Sequence, residues 1–300
     1  MVIPVILMLA IGMLCRKKDI IHKQGIAGLK SLVVNICLPG VLIKAFYNAT
    51  YNLDMLIIVA FMFAVCLTAL GIGFAFKKAA KSNMRTTPFL MTGFEAGMLG
   101  YALYTLLFGA DKVTYFATVD LGQVLFVFTV YLSLLNHNKT SSVKDSLKTI
   151  ATSPIMISIL TGLIIGLTGL GKFISASPFG GALDYLLGFI STPTAFIILL
   201  VVGYELQFDK ENIKLTFSTI LFRFFVMGLL CVLGLLAMNA LIPVDENLKW
   251  SVILMFTLPP PFVLSIFVDD HNENRFVSTS LSAATLLSLI VFTFIAFQIA

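Results

Sequence analysis

The amino-acid sequence predicts an all-α membrane protein with ten transmembrane helices in two inverted five-helix repeats. Three observations support this fold class: the composition, the length of the apolar segments, and the alternation of basic residues between connections. The chain of 300 residues is 59% hydrophobic and 12% charged, with a mean hydropathy of +1.00. Soluble proteins are roughly 45–50% apolar, so a soluble domain is excluded.

Ten apolar segments follow one another along the chain. Most are close to the roughly 20 residues that a helix needs to cross the hydrocarbon core, and the first is shorter. The predicted spans are residues 2–15, 29–48, 54–76, 88–108, 114–135, 150–169, 182–204, 213–241, 249–268 and 276–300. The first span precedes its charges Arg16 and Lys17, whereas a cleaved secretory signal carries its charge in front, so we expect this span to be retained.

Basic residues are concentrated in every second connection between the predicted spans. By the positive-inside rule the richer set is cytoplasmic, which places both termini on the outer side of the plasma membrane. A missed or invented span would put basic connections on both sides, so the alternation also supports the count of ten. The richer set is Arg16, Lys17, Lys18, Lys23, Lys30, Lys77, Lys78, Lys81, Arg85, Lys139, Lys144, Lys148, Lys210, Lys214 and Arg275, and the opposite set is Lys112, Lys172 and Lys249.

A division near residue 146 leaves five spans in each half. Because five is odd, the second half, 146–300, must run in the opposite sense to the first half, 1–145, which predicts an inverted repeat. Helix-breaking residues also correspond: the second span carries Pro39 in NICLPGV, and the seventh carries Pro193 in FISTPTA. The fourth span contains GFEAGMLGY and the ninth contains FTLPPPFVL. Interrupted segments at matching positions of two halves indicate a carrier binding site.

The interruptions of the fourth and ninth spans are expected to meet in the protein interior. A ninth span that is helical up to Pro259 would leave the carbonyls of residues 255–257 without partners, and such groups cannot face lipid. Glycines within residues 93–100 let the fourth span unwind at a similar depth. Half-helices that start after each break would direct their amide ends at the gap, which suits an anion. The predicted pocket comprises residues 95–100 and 257–261.

Glu95 is the strongest candidate for a functional residue. A carboxylate at the centre of a span is costly enough that a functional role is the default interpretation, and desolvation favours its protonated form. The hypothesis is that protonation of Glu95 couples the transport of an anion to protons. The alternative is a structural hydrogen bond, or a buried pair with Lys44 or Arg223.

Four motifs carry a resemblance to a known family. They are GLKSLVVNICLPGVLI with Asn35, Leu38 and Pro39, GMLGY with Gly97, Leu99 and Gly100, DLGQ at residues 120–123, and LPPPFVLSIFVDDHNENRFVSTSLSAATLLS. Together, over nearly the whole chain, they resemble the auxin efflux carrier family, which includes bacterial permeases for malonate and malate. The chain departs from the family pattern at Glu95, where a neutral polar residue such as Asn is frequent, and at Tyr101, where a proline is frequent.

The resemblance implies broken fourth and ninth spans that cross at the midplane of the two inverted repeats. It also implies a scaffold of spans 1, 2, 6 and 7, through which such proteins often form homodimers, and a transport unit of spans 3–5 and 8–10. Small carboxylates are the substrates that the resemblance implies. The expected partners are therefore an organic acid, the lipid bilayer and a coupling ion, which is a proton or sodium, with no cofactor.

Other polar residues within the spans are candidates for the same pocket. Asp120 and Gln123 lie on one face of the fifth span, although a position near the outer interface explains Asp120 equally well. Arg223, in the eighth span, can bind a carboxylate through two hydrogen bonds or snorkel to the cytoplasmic surface. Lys44, near the outer end of the second span, is expected to snorkel.

Asn35 and Pro39 either shape the cavity wall or kink the second span for packing. The full set of candidate substrate-binding residues is Asn35, Pro39, Glu95, Gly97, Gly100, Asp120, Gln123, Arg223, Thr257, Pro259 and Pro260.

The leading function is secondary active transport of a small organic anion by alternating access. Transport driven directly by ATP hydrolysis is not expected, because no GxxxxGK[ST] motif is present. An intramembrane enzyme is not expected either, because His22, His137 and His271 fall in connections and no HExxH or GxSxG motif occurs. A membrane sensor with the same fold is a third class, although the short connections leave little room for an output domain. Acidic groups inside the membrane also allow sodium coupling, or a cationic or zwitterionic solute.

Three further features are assigned to structure. The segment DDHNENR, residues 269–275, is expected to be a solvated turn and not a metal site, because its ligands are consecutive and the loop is short. The four cysteines, which lack metal-ligand spacing, are expected to be packing thiols; they are Cys15, Cys37, Cys66 and Cys231. The net charge of +5 is dispersed among connections, which argues against a nucleic-acid partner.

Overall fold

The structure is a computed structural model that describes residues 2–47, 53–136, 152–206, 213–268 and 270–299. All regular secondary structure within these residues is helical. The α-helices are α1 Val2–Lys17, α2 Lys23–Leu32, α3 Leu38–Tyr47, α4 Leu53–Ala79, α5 Thr87–Leu90, α6 Tyr101–Phe108, α7 Val113–Phe126, α8 Leu132–Asn136, α9 Pro154–Leu167, α10 Leu170–Ala176, α11 Pro178–Ser191, α12 Thr194–Glu205, α13 Ile213–Leu241, α14 Glu246–Thr257 and α15 His271–Ile299. Wider π-helical turns are Val33–Cys37, Ala96–Gly100 and Val127–Tyr131, and tighter 3-10 turns are Ala110–Lys112 and Phe262–Phe267.

Seven helical segments of the described residues are long and apolar enough to cross a membrane. They are Lys23–Lys44, Leu53–Ala79, Ala110–Leu135, Pro178–Glu205, Ile213–Leu241, Glu246–Ser265 and His271–Ile299. Shorter apolar helices cover Ala96–Phe108 and Met156–Leu167, and α1 adds a further 16 residues. The prediction of an all-helical, multi-pass membrane protein is therefore confirmed, while the count of ten spans and the inverted repeat stay predictions.

Several sequence-based predictions concern residues outside the described part of the chain. These are the basic residues Lys139, Lys144, Lys148 and Lys210 and the proposed boundary between residues 145 and 146. The side of the membrane on which each connection lies stays a prediction.

Local sequence explains where several helices begin and end. The carboxylate of Asp245 accepts a hydrogen bond from the Leu248 amide at 2.7 Å, which caps the amino end of α14. Ser153 caps α9 in the same way, and Pro154 at the first helical position has no amide hydrogen that needs a partner. Helix α14 ends at Thr257 because Leu258 precedes a proline and adopts an extended conformation.

The chain divides into two compact units, and each combines separate stretches of sequence. The first unit comprises Met1–Met55, Gly97–Ala117 and Ser142–Glu205. The second unit comprises Leu56–Ala96, Thr118–Ser141 and Leu206–Ala300.

Close helix packing holds the first unit together. Helices α1 and α12 approach so closely that a Cβ atom built on Gly12 would lie 2.2 Å from the carbonyl oxygen of Leu200. Small residues permit this backbone approach between apolar helices. Lys30 pairs with Glu205, which joins α2 to the end of α12.

The second unit is built around the long helices α13 and α15, which pack against each other and against α14. Glu273 on α15 accepts hydrogen bonds from the amides of Arg85 and Thr86 and from the Thr86 hydroxyl. A carboxylate near the start of α5 complements the partial positive charge of that helix terminus.

Large apolar side chains are exposed on many helices. The exposed fraction is 81% for Phe173 and 76% for Phe297. So many exposed large apolar side chains indicate a lipid-facing protein, because a water-facing monomer rarely exposes apolar surface on this scale.

Candidate functional site

The fourth apolar segment is interrupted in the second unit. Helix α5 ends at Leu90, residues 91–95 are not helical, and helical structure resumes at Ala96. Gly93 lies inside this break with a φ of +68°, a conformation that is strained for residues with a Cβ atom. The break therefore leaves several backbone groups of the fourth segment without helical partners.

The ninth apolar segment is interrupted in the same unit. Helix α14 ends at Thr257, and the 3-10 turn begins at Phe262. The residues between them include Pro259, Pro260 and Pro261, which have no amide hydrogens to donate. Their carbonyls and those of the preceding residues must therefore be satisfied by other elements.

The two breaks are joined directly by hydrogen bonds. The amide of Glu95 donates to the carbonyl of Pro259 at 2.8 Å. The amide of Phe262 donates to Oε2 of Glu95 at 2.5 Å, so the Glu95 side chain accepts from the first residue beyond the second break. Glu95 is 8% exposed and thus uses both its backbone and its side chain to hold the breaks together.

Arg223 bridges the carbonyls of both breaks. Its Nη1 donates to Leu90 at 3.0 Å, and its Nη2 donates to Gly93 at 2.7 Å and to Leu258 at 3.2 Å. The side chain is 1% exposed, and its guanidinium carbon lies 5.6 Å from the centre of the Phe94 ring. A guanidinium has five donors in a fixed fork, which suits several acceptors at once. The prediction that Arg223 binds a substrate carboxylate stays a prediction.

Gln123 and Asp120 support the first break from α7. The Gln123 side-chain carbonyl accepts from the Phe94 amide at 3.3 Å, and its amide nitrogen donates to the Phe94 carbonyl at 3.2 Å. The same nitrogen donates to Asp120 Oδ1 at 3.0 Å. Both side chains are buried, so Gln123 replaces the helical partners that Phe94 lacks.

Exchange of Gly93 for alanine is expected to destabilise the second unit by roughly 2–5 kcal/mol. The left-handed conformation costs about 1–2 kcal/mol once a Cβ is present, and overpacking adds about 1–3 kcal/mol. The added Cβ would lie 2.7 Å from Cγ of Pro261 in the opposite break. The melting temperature of the purified protein in detergent measures this loss.

Gly71→Ala is the matched control, because Gly71 lies within α4 and nothing approaches its Cβ position within 4 Å. Gly71→Ala should melt at or slightly above the wild-type temperature. A double variant with Pro261→Ala should recover part of the Gly93→Ala loss. Equal melting temperatures for Gly93→Ala and the wild type would contradict the contact.

The structure divides the remaining predicted residues between the units. Pro260 is buried in the second break, and Thr257 ends α14 with its hydroxyl bonded to the Leu254 carbonyl at 2.7 Å. The first unit holds four further candidates, namely Asn35, Pro39, Gly97 and Gly100.

In the first unit, Asn35 is exposed and donates to the Ser31 hydroxyl at 2.9 Å. Pro39 lies in the first turn of α3, and Gly97 and Gly100 lie in the π-helical turn before α6. A substrate-binding role for each stays a prediction.

Some contributors to the site could not be identified from the sequence. Phe262 contributes its amide, and Leu90 and Leu258 contribute carbonyls. Backbone groups are present at every position, so only the location of the breaks could have pointed to these residues. Within the described residues, no three His, Cys, Asp or Glu side chains are grouped so that they could hold a metal ion.

Apolar helices whose interruptions meet in a buried polar site define a class of protein, the multi-pass membrane carrier-like proteins. The family model described as membrane transport protein, the auxin efflux carrier family, matches residues 1–296. The chain therefore belongs to this family of transporters, as the motifs indicated. No curated protein matches the chain.

Proposed function

We propose that this protein is a secondary active transporter that moves a small organic carboxylate across the plasma membrane by alternating access. The joined breaks carry this proposal: Glu95 bonds to Pro259 and Phe262, and Arg223 bridges carbonyls of both interruptions. Irregular backbone at membrane depth is tolerated only where protein or a water-filled cavity satisfies it. Carriers use such segments to bind cargo.

The geometry around Glu95 suits cargo of negative charge. Helical structure starts at Ala96, directly after the first break, and the 3-10 turn starts at Phe262, directly after the second. The amides at a helix start carry partial positive charge and attract anions, as the Phe262 amide does toward the Glu95 carboxylate. Protonation of Glu95 would remove a competing negative charge from this region. We therefore propose that a proton enters together with the anion.

Proton coupling is favoured over sodium coupling by the position of Arg223. Unwound carbonyls are the groups that coordinate sodium in carriers with broken helices. Here the carbonyls of Leu90, Gly93 and Leu258 accept hydrogen bonds from a resident guanidinium. Arg223 thus supplies at the breaks the positive charge that a bound sodium ion would provide.

The proposed architecture has ten spans in two inverted repeats, with spans 1, 2, 6 and 7 as scaffold and both termini outside the cell. Interruptions at residues 91–95 and 258–261 support the repeat, because they fall in the fourth and the ninth predicted spans. The proposed homodimer through the scaffold rests on the family alone.

Uptake of labelled organic acids by proteoliposomes that contain the full chain tests the function. We expect uptake above that of empty liposomes, accelerated by an inward proton gradient and unchanged by a sodium gradient. Acceleration by a sodium gradient alone would show that sodium, and not the proton, is the coupling ion. Uptake of amines or amino acids in place of acids would establish a cationic or zwitterionic cargo. Absence of flux under every gradient would overturn the carrier function and favour a sensor.

A further inference from the structure

The first unit contains a cavity of about 430 Å³ that the predicted pocket did not include. Its walls come from α3, α6, the start of α7, and the stretch that joins α11 to α12. Binding cavities for small molecules are typically about 300–1,000 Å³, so this cavity can enclose a compact organic ligand. Lys44, which was expected to snorkel, lines this cavity.

Lys44 is an available positive charge. Its side chain is half-buried, and a Cβ built on Gly188 across the cavity would lie 3.7 Å from its Nζ. In the described part of the chain, no carboxylate lies within ion-pair distance of Lys44, whereas Lys30 of the same unit is paired with Glu205. A partly desolvated ammonium without a partner favours an anionic ligand.

Thr194 contributes to the cavity wall. Its side chain is 5% exposed, and its Oγ1 is buried toward the Cys37 thiol, so the hydroxyl does not face the cavity. Thr194 is also the first residue of α12, a helix of 12 residues whose first amides lack helical acceptors.

Three other hydroxyls on the cavity wall donate to their own helices. Thr105 donates to the Tyr101 carbonyl at 2.7 Å, and Ser191 and Thr192 donate to carbonyls one turn earlier at 2.6 and 2.8 Å. The donors left for a ligand are therefore concentrated at Lys44 and at the start of α12.

The charges of the cavity also select the ligand. Asp111 lines the cavity as an exposed carboxylate and would repel a second negative charge on a bound ligand. Apolar and aromatic side chains, including Val41 and Tyr101, form other parts of the wall. These features suit one carboxylate attached to an apolar body.

We propose that Lys44, in this cavity beside the amino end of α12, forms a binding subsite for the carboxylate of a singly charged organic acid. Lys44 holds the carboxylate by a charge-assisted hydrogen bond, and the partial positive charge at the start of α12 adds to the attraction. The subsite rests on the proposed function in so far as the bound acid is the cargo, and its occupancy can be measured without transport.

Binding of three six-carbon probes to the full chain in detergent, measured by calorimetry, tests the subsite. Hexanoate carries one carboxylate, adipate carries two, and 2-aminohexanoate adds an amine. We expect hexanoate to bind more tightly than the other two. Lys44→Met should weaken hexanoate binding about ten- to hundredfold, the usual effect of losing a hydrogen bond to a charged group. Lys44→Arg should keep most of it.

Lys112→Met is the matched control, because it removes an exposed lysine of the same unit that does not line the cavity. It should bind hexanoate like the wild type. The subsite is wrong if hexanoate does not bind, if Lys44→Met binds it unchanged, or if adipate or 2-aminohexanoate binds more tightly. None of these results bears on the transport function, which the proteoliposome uptake of the wild type tests separately.

Discussion

Arg223→Met is expected to prevent accumulation of folded protein or to lower its melting temperature severely. The variant leaves the carbonyls of Leu90, Gly93 and Leu258 without the donors that now satisfy them. An unsatisfied buried group costs about 1–3 kcal/mol, so the loss is on the order of 3–9 kcal/mol if the three penalties add. Proteins are typically stable by only about 5–15 kcal/mol. Size-exclusion profiles and melting curves of detergent extracts measure the effect.

Two variants sharpen this test. Lys214→Met removes an exposed cation from the same helix and should behave like the wild type. Arg223→Lys keeps the charge but replaces the planar fork by a compact ammonium, so it should melt between the wild type and Arg223→Met. An Arg223→Met protein that melts like the wild type would exclude the bridging role. If that protein also lost carboxylate binding, the guanidinium would instead be a substrate ligand.

Glu95→Gln is expected to retain the fold and to lose proton-driven uptake. The glutamine side-chain oxygen can still accept the hydrogen bond from the Phe262 amide, but the amide group does not titrate. Uptake into proteoliposomes under an inward proton gradient should fall to the rate that is measured without a gradient. We expect this fall to be about tenfold, which corresponds to about 1.4 kcal/mol. The pH dependence of the remaining uptake should be flat.

The controls for Glu95 separate chemistry from structure. Glu246→Gln changes an exposed glutamate at the start of α14 and should keep both the rate and the pH dependence. Glu95→Asp retains a carboxyl group on a shorter side chain and should keep the pH dependence at a lower rate. Unchanged pH dependence in Glu95→Gln would refute proton coupling through this residue. A large fall in its melting temperature would show that the carboxylate of Glu95 is needed to hold the two breaks together.

The positions of the breaks could be predicted from the sequence because their causes are local. Three consecutive prolines stop a helix wherever they occur, and glycine tolerates the φ of +68° at residue 93. The sequence predicted that the carbonyls of residues 255–257 would lack hydrogen-bond partners. In the structure Met255 accepts from the Leu258 amide, and the carbonyl that Arg223 reaches is that of Leu258.

The roles of the charged side chains could not be predicted in the same way. The sequence allowed Arg223 to snorkel to the surface or to bind a substrate, yet it lies buried against three backbone carbonyls. It allowed Lys44 to snorkel, yet Lys44 lines a cavity of the first unit. Both outcomes depend on distant residues: Leu90 and Gly93 lie more than 100 positions from Arg223, and Gly188 lies more than 100 positions from Lys44.

The sequence by itself determined the membrane class, the family, and the two segments that cannot remain helical, because apolar content and helix breaking depend on neighbouring residues. Only the tertiary structure decided which side chains satisfy those segments and where an available cation remains. The physical reason is that a hydrogen bond requires its donor and acceptor to lie about 3 Å apart. For residues distant in sequence, folding alone brings them that close.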